Sequence, residues 1–273
     1  MKQSLIITLV FAMLSILSCC SNSIKSNSVS LAETVSSLES IDSVATKDSL
    51  IMKMNESHLD LGTDLSVSVI NPKRILVEEM TKDDWCDRAE PLGYRGTSFD
   101  RFYIHYESVK RIDDRRYKVI GKTRCIGAIH DFMGEIIIDS VKAYNPEGGY
   151  DLKKLEERGI IYGHYQFDES DNQKPIGKYT GNVYFSFNIL DGKVYYDAVD
   201  CWDDGYCNNQ YEGVWVDIKT NRTLPCNWGD YRIPSSSGLD DGSGEFVPSD
   251  DARNNHGWGD YNSENPNSDE WWK

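Results

Sequence analysis

Between Asn182 and Leu190 every second residue is apolar: Val183, Phe185, Phe187 and Ile189 alternate with Tyr184, Ser186 and Asn188. A period of two predicts a half-buried strand. Asp191-Gly192 follows, a pair suited to a two-residue hairpin turn, and Lys193 to Val199 reads as the returning strand. The same alternation puts Phe102, Ile104 and Tyr106 on one face, as it does Tyr117 and Val119, Phe132, Ile136 and Ile138, and Ile161, Tyr165 and Phe167. Val214, Val216 and Ile218 form a late strand, which sets Trp215 on the face opposite these aliphatics. The polar stretch from Arg111 to Arg115 reads as a turn. One helix interrupts the strands: Asp151 can cap it, Leu152 and Leu155 face inward, and Gly159 ends it. The fold class expected is mainly β, an antiparallel meander forming a barrel or sandwich with one short helix. This body covers residues 63–235, long enough to bury a substantial core.

The two ends of the chain read differently. Residues 19–62 are rich in Ser, Asn and Lys and hold no aromatic residue, as in a flexible tether. Within them Ser30-Leu31-Ala32-Glu33 fits a capping box, with Val35, Leu38, Ile41 and Val44 behind it. After Ser235 the aliphatic residues thin out and Gly, Ser, Asn and Asp dominate, so residues 236–273 read as an acidic disordered tail. Ahead of the tether, Lys2 is followed by an apolar run from Leu5 to Leu17 and then Ser18-Cys19-Cys20. A positive start, an apolar centre and a small residue before a cut site make an export signal over residues 1–18. As a helix the run would reach about 20 Å, short of the roughly 30 Å of a bilayer core.

Charge narrows the partners. The chain carries 29 basic and 44 acidic side chains, a net of −15. Such a surface repels phosphate backbones, which argues against nucleic-acid binding. From Ser235 to Lys273 nine acids face two bases, so much of the excess lies near the end of the chain.

Seven cysteines are present. Cys201 and Cys207 flank one short loop and are the expected disulfide pair, since an exported chain meets a compartment that permits the bond. No C-x-x-C pair supports zinc. Asp200, Asp203 and Asp204 crowd the same loop as Gly205 and could form an irregular calcium site. An EF-hand is excluded, because Trp202 and Tyr211 would fall at ligand positions. The histidines suggest surface positions: His105 and His164 point away from the core, His58 and His256 lie in the ends, and His130 precedes Asp131. Carboxylates are too many to select a catalytic pair for glycoside hydrolysis. The tryptophans Trp202, Trp215 and Trp228 cluster with Tyr206, Tyr211 and Tyr231. Exposed indoles can stack on a sugar or another flat apolar ligand, whereas buried ones would fill a core.

Ile16-Leu17-Ser18-Cys19 resembles the lipobox of bacterial lipoproteins. The resemblance implies a diacylglycerol on the Cys19 thiol and cleavage just before it, with Cys20 the second candidate. Cys20 in place of an aspartate after the anchor, and no acid as far as Lys25, imply an outer-membrane protein facing the periplasm. Asp42-Ser43-Val44, Asp48-Ser49-Leu50 and Asp139-Ser140-Val141 resemble the O-glycosylation motif of Bacteroidetes exported proteins. The aromatic alternation and Gly213-Val214-Trp215 loosely resemble lipocalin-type barrels. Taken together these readings lead to a lipid-anchored envelope binding module for a glycan, a small apolar ligand or an envelope protein, with an envelope hydrolase using paired carboxylates as the alternative.

Overall fold

The alternating segments become long antiparallel strands that close on themselves. The computed structural model describes residues 54–77, 85–144, 155–262 and 270–273. Its strands are β1 (Met54–Glu56), β2 (Arg74–Leu76), β3 (Trp85–Asp87), β4 (Leu92–Arg95), β5 (Asp100–Arg111), β6 (Arg116–Cys125), β7 (Ala128–Tyr144), β8 (Leu155–Asp171), β9 (Lys174–Leu190), β10 (Lys193–Tyr196), β11 (Asn208–Asp217) and β12 (Thr223–Asp230). Neighbouring strands pair in the order β4, β5, β6, β7, β8, β9, β11, β12, and β12 returns to β4 through Cys226↔Arg95 and Gly229↔Leu92. Every pairing is antiparallel, so the meander is a closed eight-stranded ring. Strand β10 hangs on the end of β9, β1 on the end of β7, and β2 pairs with β3 outside the ring.

The interior is packed with side chains. Phe102, Ile104, Tyr117, Val119, Ile136, Phe167, Phe185 and Phe187 are buried there, on the faces the alternation assigned. Aromatic rings fill the centre: Trp228 stacks on Tyr211 with centroids 4.7 Å apart and meets Tyr165 edge-on at 5.1 Å. The turn expected at Arg111–Arg115 joins β5 to β6, with Asp113 accepting from the backbone of Arg115 and Arg116.

Four expectations are corrected. The helix proposed from Asp151 to Gly159 does not stand: Leu155 to Gly159 belong to β8, while Asp151 and Leu152 lie outside the described residues. Gly159 is not a helix stop but a close approach, since a Cβ there would sit 2.3 Å from the carbonyl oxygen of Lys142 on β7. Among the described residues an α-helix forms instead at α1 (Asp250–Asn255), capped by the Ser249 hydroxyl accepting from the Ala252 amide.

The body also begins earlier than residue 63, for Leu59 and Leu61 pack against the barrel core and β1 extends β7. In addition, the segment after Ser235 is folded wherever it is described. Leu239, Phe246, Ala252 and Trp258 are buried against Leu92 and Tyr94, the outward-facing residues of β4. Trp271 is buried against Tyr103, and Trp272 stacks on His105 at 4.0 Å. These anchors are far apart in sequence and follow no period, so composition alone hid them. Finally, the faces of β11 are the reverse of those expected: Tyr211 and Trp215 turn inward, and Ile218 is exposed. Cys19, the capping-box segment and the triplets at Asp42 and Asp48 lie outside the described residues. The third triplet, Asp139-Ser140-Val141, lies within β7.

Candidate functional site

At each end of β11 a tryptophan lies near carboxylates, Trp215 at one and Trp202 at the other. At the first, the inward phase of β8 that carries Tyr165 and Phe167 continues to Glu169. Its side chain is about 1% exposed. Glu169 Oε1 accepts from Thr123 Oγ1 at 2.5 Å and from the Tyr179 hydroxyl at 2.6 Å. Glu169 Oε2 accepts from Trp215 Nε1 at 2.8 Å and lies 3.9 Å from an Arg95 nitrogen. The Arg95 guanidinium covers the Trp215 ring at 4.5 Å. Gly177 makes room for this indole, because a Cβ there would fall 2.1 Å from Trp215 Nε1. Burial pushes the Tyr179 phenol well above its usual range, and the Glu169 charge adds to it. Burial likewise raises the thiols beside this knot, Cys226 strongly and Cys125 to about 11. Burial thus favours the protonated form of both, the less reactive one, since the thiolate is the nucleophile. Both oxygens of Glu169 are engaged, and its side chain is shut off from solvent.

The opposite end holds an open groove of about 350 Å³. The loop between β10 and β11 brings Trp202, Asp203, Asp204 and Tyr206 to it. The chain leaving β12 brings Tyr231 and Arg232, and the folded tail brings Glu245, Phe246 and Tyr261. Trp202 is 74% exposed. Tyr206 and Tyr231 meet edge-on at 4.9 Å beneath the loop, and Phe246 and Tyr261 do so at 5.3 Å on the tail side. The Tyr206 hydroxyl donates to the Asp197 carbonyl, which ties the loop to the strand end. Arg232 is committed within the wall, donating to Asp240 at 2.6 Å and to the carbonyls of Gly242 and Gly244. Below the groove Arg88 donates to both oxygens of buried Asp230, at 2.7 and 2.8 Å, and the Tyr196 hydroxyl joins at 3.0 Å. A bidentate pair of this kind fixes orientation as well as charge.

No family model, curated protein or solved structure matches this chain. Its site is therefore read from its own residues.

The three tryptophans do not share a surface. Trp228 is fully buried, donating from Nε1 to the Tyr106 hydroxyl at 3.0 Å. Trp215 is partly buried and bound to Glu169. Trp202 remains the exposed member. The calcium reading is corrected as well. Asp200 accepts from Arg158 at 2.7 Å, and among the described residues no three His, Cys, Asp or Glu groups gather as metal ligands. The expected bridge from Cys201 to Cys207 is not formed. Cys201 packs beside Ile75, Val77, Tyr196 and Ala198, whereas the Cys207 thiol is raised by its burial and feels the charge of Arg232, so the loop sends the two in different directions.

Four of the histidines each stand beside a carboxylate, His105 in mid-strand beneath Trp272. His105 lies 2.8 Å from Glu90, His164 3.0 Å from Asp139, His58 2.8 Å from Glu157 and His256 3.0 Å from Asp100. His58 and His256 are thus in the folded body. Sequence reading missed Glu169 and the tail's share of the groove. The signal for Glu169 was present, an acid standing in phase with Tyr165 and Phe167. For Phe246 and Tyr261 no local pattern existed.

Proposed function

We propose that this chain is a lipid-anchored binding module of the bacterial envelope, held to the outer membrane through Cys19 and offering the groove beside Trp202 to a flat polar ligand such as a glycan. The observation that carries the reading is the 74% exposure of Trp202 on the groove, in a molecule whose other two candidate indoles are consumed by the barrel. A large indole held at a concave surface presents an apolar face on which a sugar ring can stack. Polar groups around it would fix the ligand's orientation, as in small-molecule sites generally. The filled interior of the ring leaves the groove, outside the barrel, as the favoured place for the ligand. Anchoring rests on the lipobox resemblance and the apolar run before it.

Binding is tested with Trp202→Ala against a panel of envelope oligosaccharides by calorimetry. At least tenfold weaker binding with an unchanged melting temperature is expected, and unchanged affinity overturns the site. Anchoring is tested separately with Cys19→Ala, which should lose acyl mass and leave the membrane fraction.

A further inference from the structure

The walls of the groove specify the sign of charge on its ligand, and this inference rests on the binding reading above. Asp203, Asp204 and Glu245 are exposed on the groove. The cations nearby are committed elsewhere: Arg232 to Asp240 and two carbonyls, Arg88 to Asp230. The rings of Trp202, Tyr206, Tyr231 and Tyr261 line the same space. Aromatic faces carry negative potential and attract cations, most strongly over indole. Low-dielectric walls bearing charges of one sign focus their field into a cleft.

We propose that the groove binds a ligand bearing a primary ammonium group, of the class of an amino sugar with a free amine, with its ring face on Trp202 and its ammonium toward Asp203, Asp204 and Glu245.

Two features make this more than an acidic surface. The carboxylates stand at a concave space with an exposed indole, so one ligand can use the ring and the charge together. They also come from two separate segments, the loop before β11 and the tail, which meet where the Gly205 amide donates to the Gly244 carbonyl, so the acceptors gather on one wall. An N-acetylated sugar keeps the stacking and loses the charge. A uronic acid keeps the stacking and reverses it. Anionic ligands would meet like charge there, a repulsive element that gives specificity.

The experiment compares three tetrasaccharide probes by calorimetry on the full folded protein at slightly acidic pH and low salt: a glucosamine oligomer, its N-acetylated counterpart and a uronic-acid oligomer. The glucosamine probe should bind at least tenfold more tightly than the N-acetylated one, and the uronic-acid probe should not bind. The preference should fall to less than threefold in D203N/D204N, a nearly isosteric change, and should shrink as salt screens the charges. Trp202→Ala should weaken the glucosamine and N-acetylated probes alike.

Equal or tighter binding of the N-acetylated probe, lost in Trp202→Ala, overturns the charge inference and leaves the groove reading standing. Glucosamine binding that is indifferent to Trp202→Ala is attraction to the acidic surface at large and overturns the inference. Failure of all three probes overturns it too, and counts against the binding reading itself.

Discussion

Trp215 and Trp202 are both tryptophans beside carboxylates, yet one end of the barrel is shut and the other open. At the shut end Glu169 takes hydrogen bonds from Thr123, Tyr179 and Trp215, and Arg95 lies across the indole. At the open end Asp203 and Asp204 stand in solvent beside an indole that no ring of the core covers. The residue types are alike, and their positions decide the outcome. A strand residue in the inward phase must be buried, and a buried carboxylate needs partners. A loop residue has no such obligation and leaves its polar groups in solvent. What looks like one aromatic cluster in the sequence is thus a structural knot and a candidate site.

The comparison can be broken most forcefully at the shut end. Glu169→Ala should cost about 3–5 kcal/mol, as when one partner of a buried charged network is removed, because it strands the Tyr179, Thr123 and Trp215 donors. Denaturant unfolding measures this, and a loss under 1 kcal/mol would mean the knot is not structural. Truncating the core indole, Trp228→Ala, should cost a similar ~3–5 kcal/mol. A smaller effect is expected from Trp215→Phe, about 1–3 kcal/mol, the penalty for leaving one buried acceptor without its donor.

The buried phenols give a pH test. Tyr165, Tyr179, Tyr196 and Tyr211 are held well above the ordinary value near 10, chiefly by burial. In the unfolded chain they ionise near pH 10 while the folded chain keeps their protons. Their contribution to stability is therefore full below that pH and declines as pH rises above it. Tyrosinate absorbance should rise in step with loss of near-ultraviolet circular dichroism. Ionisation of all sixteen tyrosines in a still-folded barrel would contradict the packing. Last and smallest, Trp202→Ala should change stability by less than about 0.5 kcal/mol, as an exposed substitution does. A large fall in melting temperature there would erase the contrast between the two ends.

The long strands were legible because their faces differ. In β9 the run Val183, Phe185, Phe187 is buried as its period demands, and Asp191-Gly192 makes the turn with both residues at positive φ. Strand β11 misled because Val214 and Val216 are more aliphatic than their neighbours. The barrel instead takes in the larger Tyr211 and Trp215, and Gly213 on the same face stands where the Tyr165 hydroxyl leaves a Cβ only 2.7 Å. Half of the groove was out of reach for another reason. Phe246 and Tyr261 sit in a segment whose composition resembles disorder, and their burial depends on the outer face of β4, far away in the sequence. Long-range packing of isolated aromatics leaves no local period to read.

The seam of the ring sets an order in time. β4 and β12 lie at opposite ends of the barrel sequence, yet Cys226 to Gly229 must pair with Leu92 to Arg95 for the ring to close. A chain threaded outward from its first residues presents seven strands before the eighth arrives, with two open edges and an aromatic interior awaiting cover. Bringing such distant segments together is slow, because the loop entropy is spent before the contacts form. The segment that follows β12 then settles over Leu92 and Tyr94, on the outside of the same seam. A chain cut short before Leu239 would keep all eight strands and lose the latch, so it should close at a similar rate, reopen faster and depend more on whatever guards half-made barrels from one another.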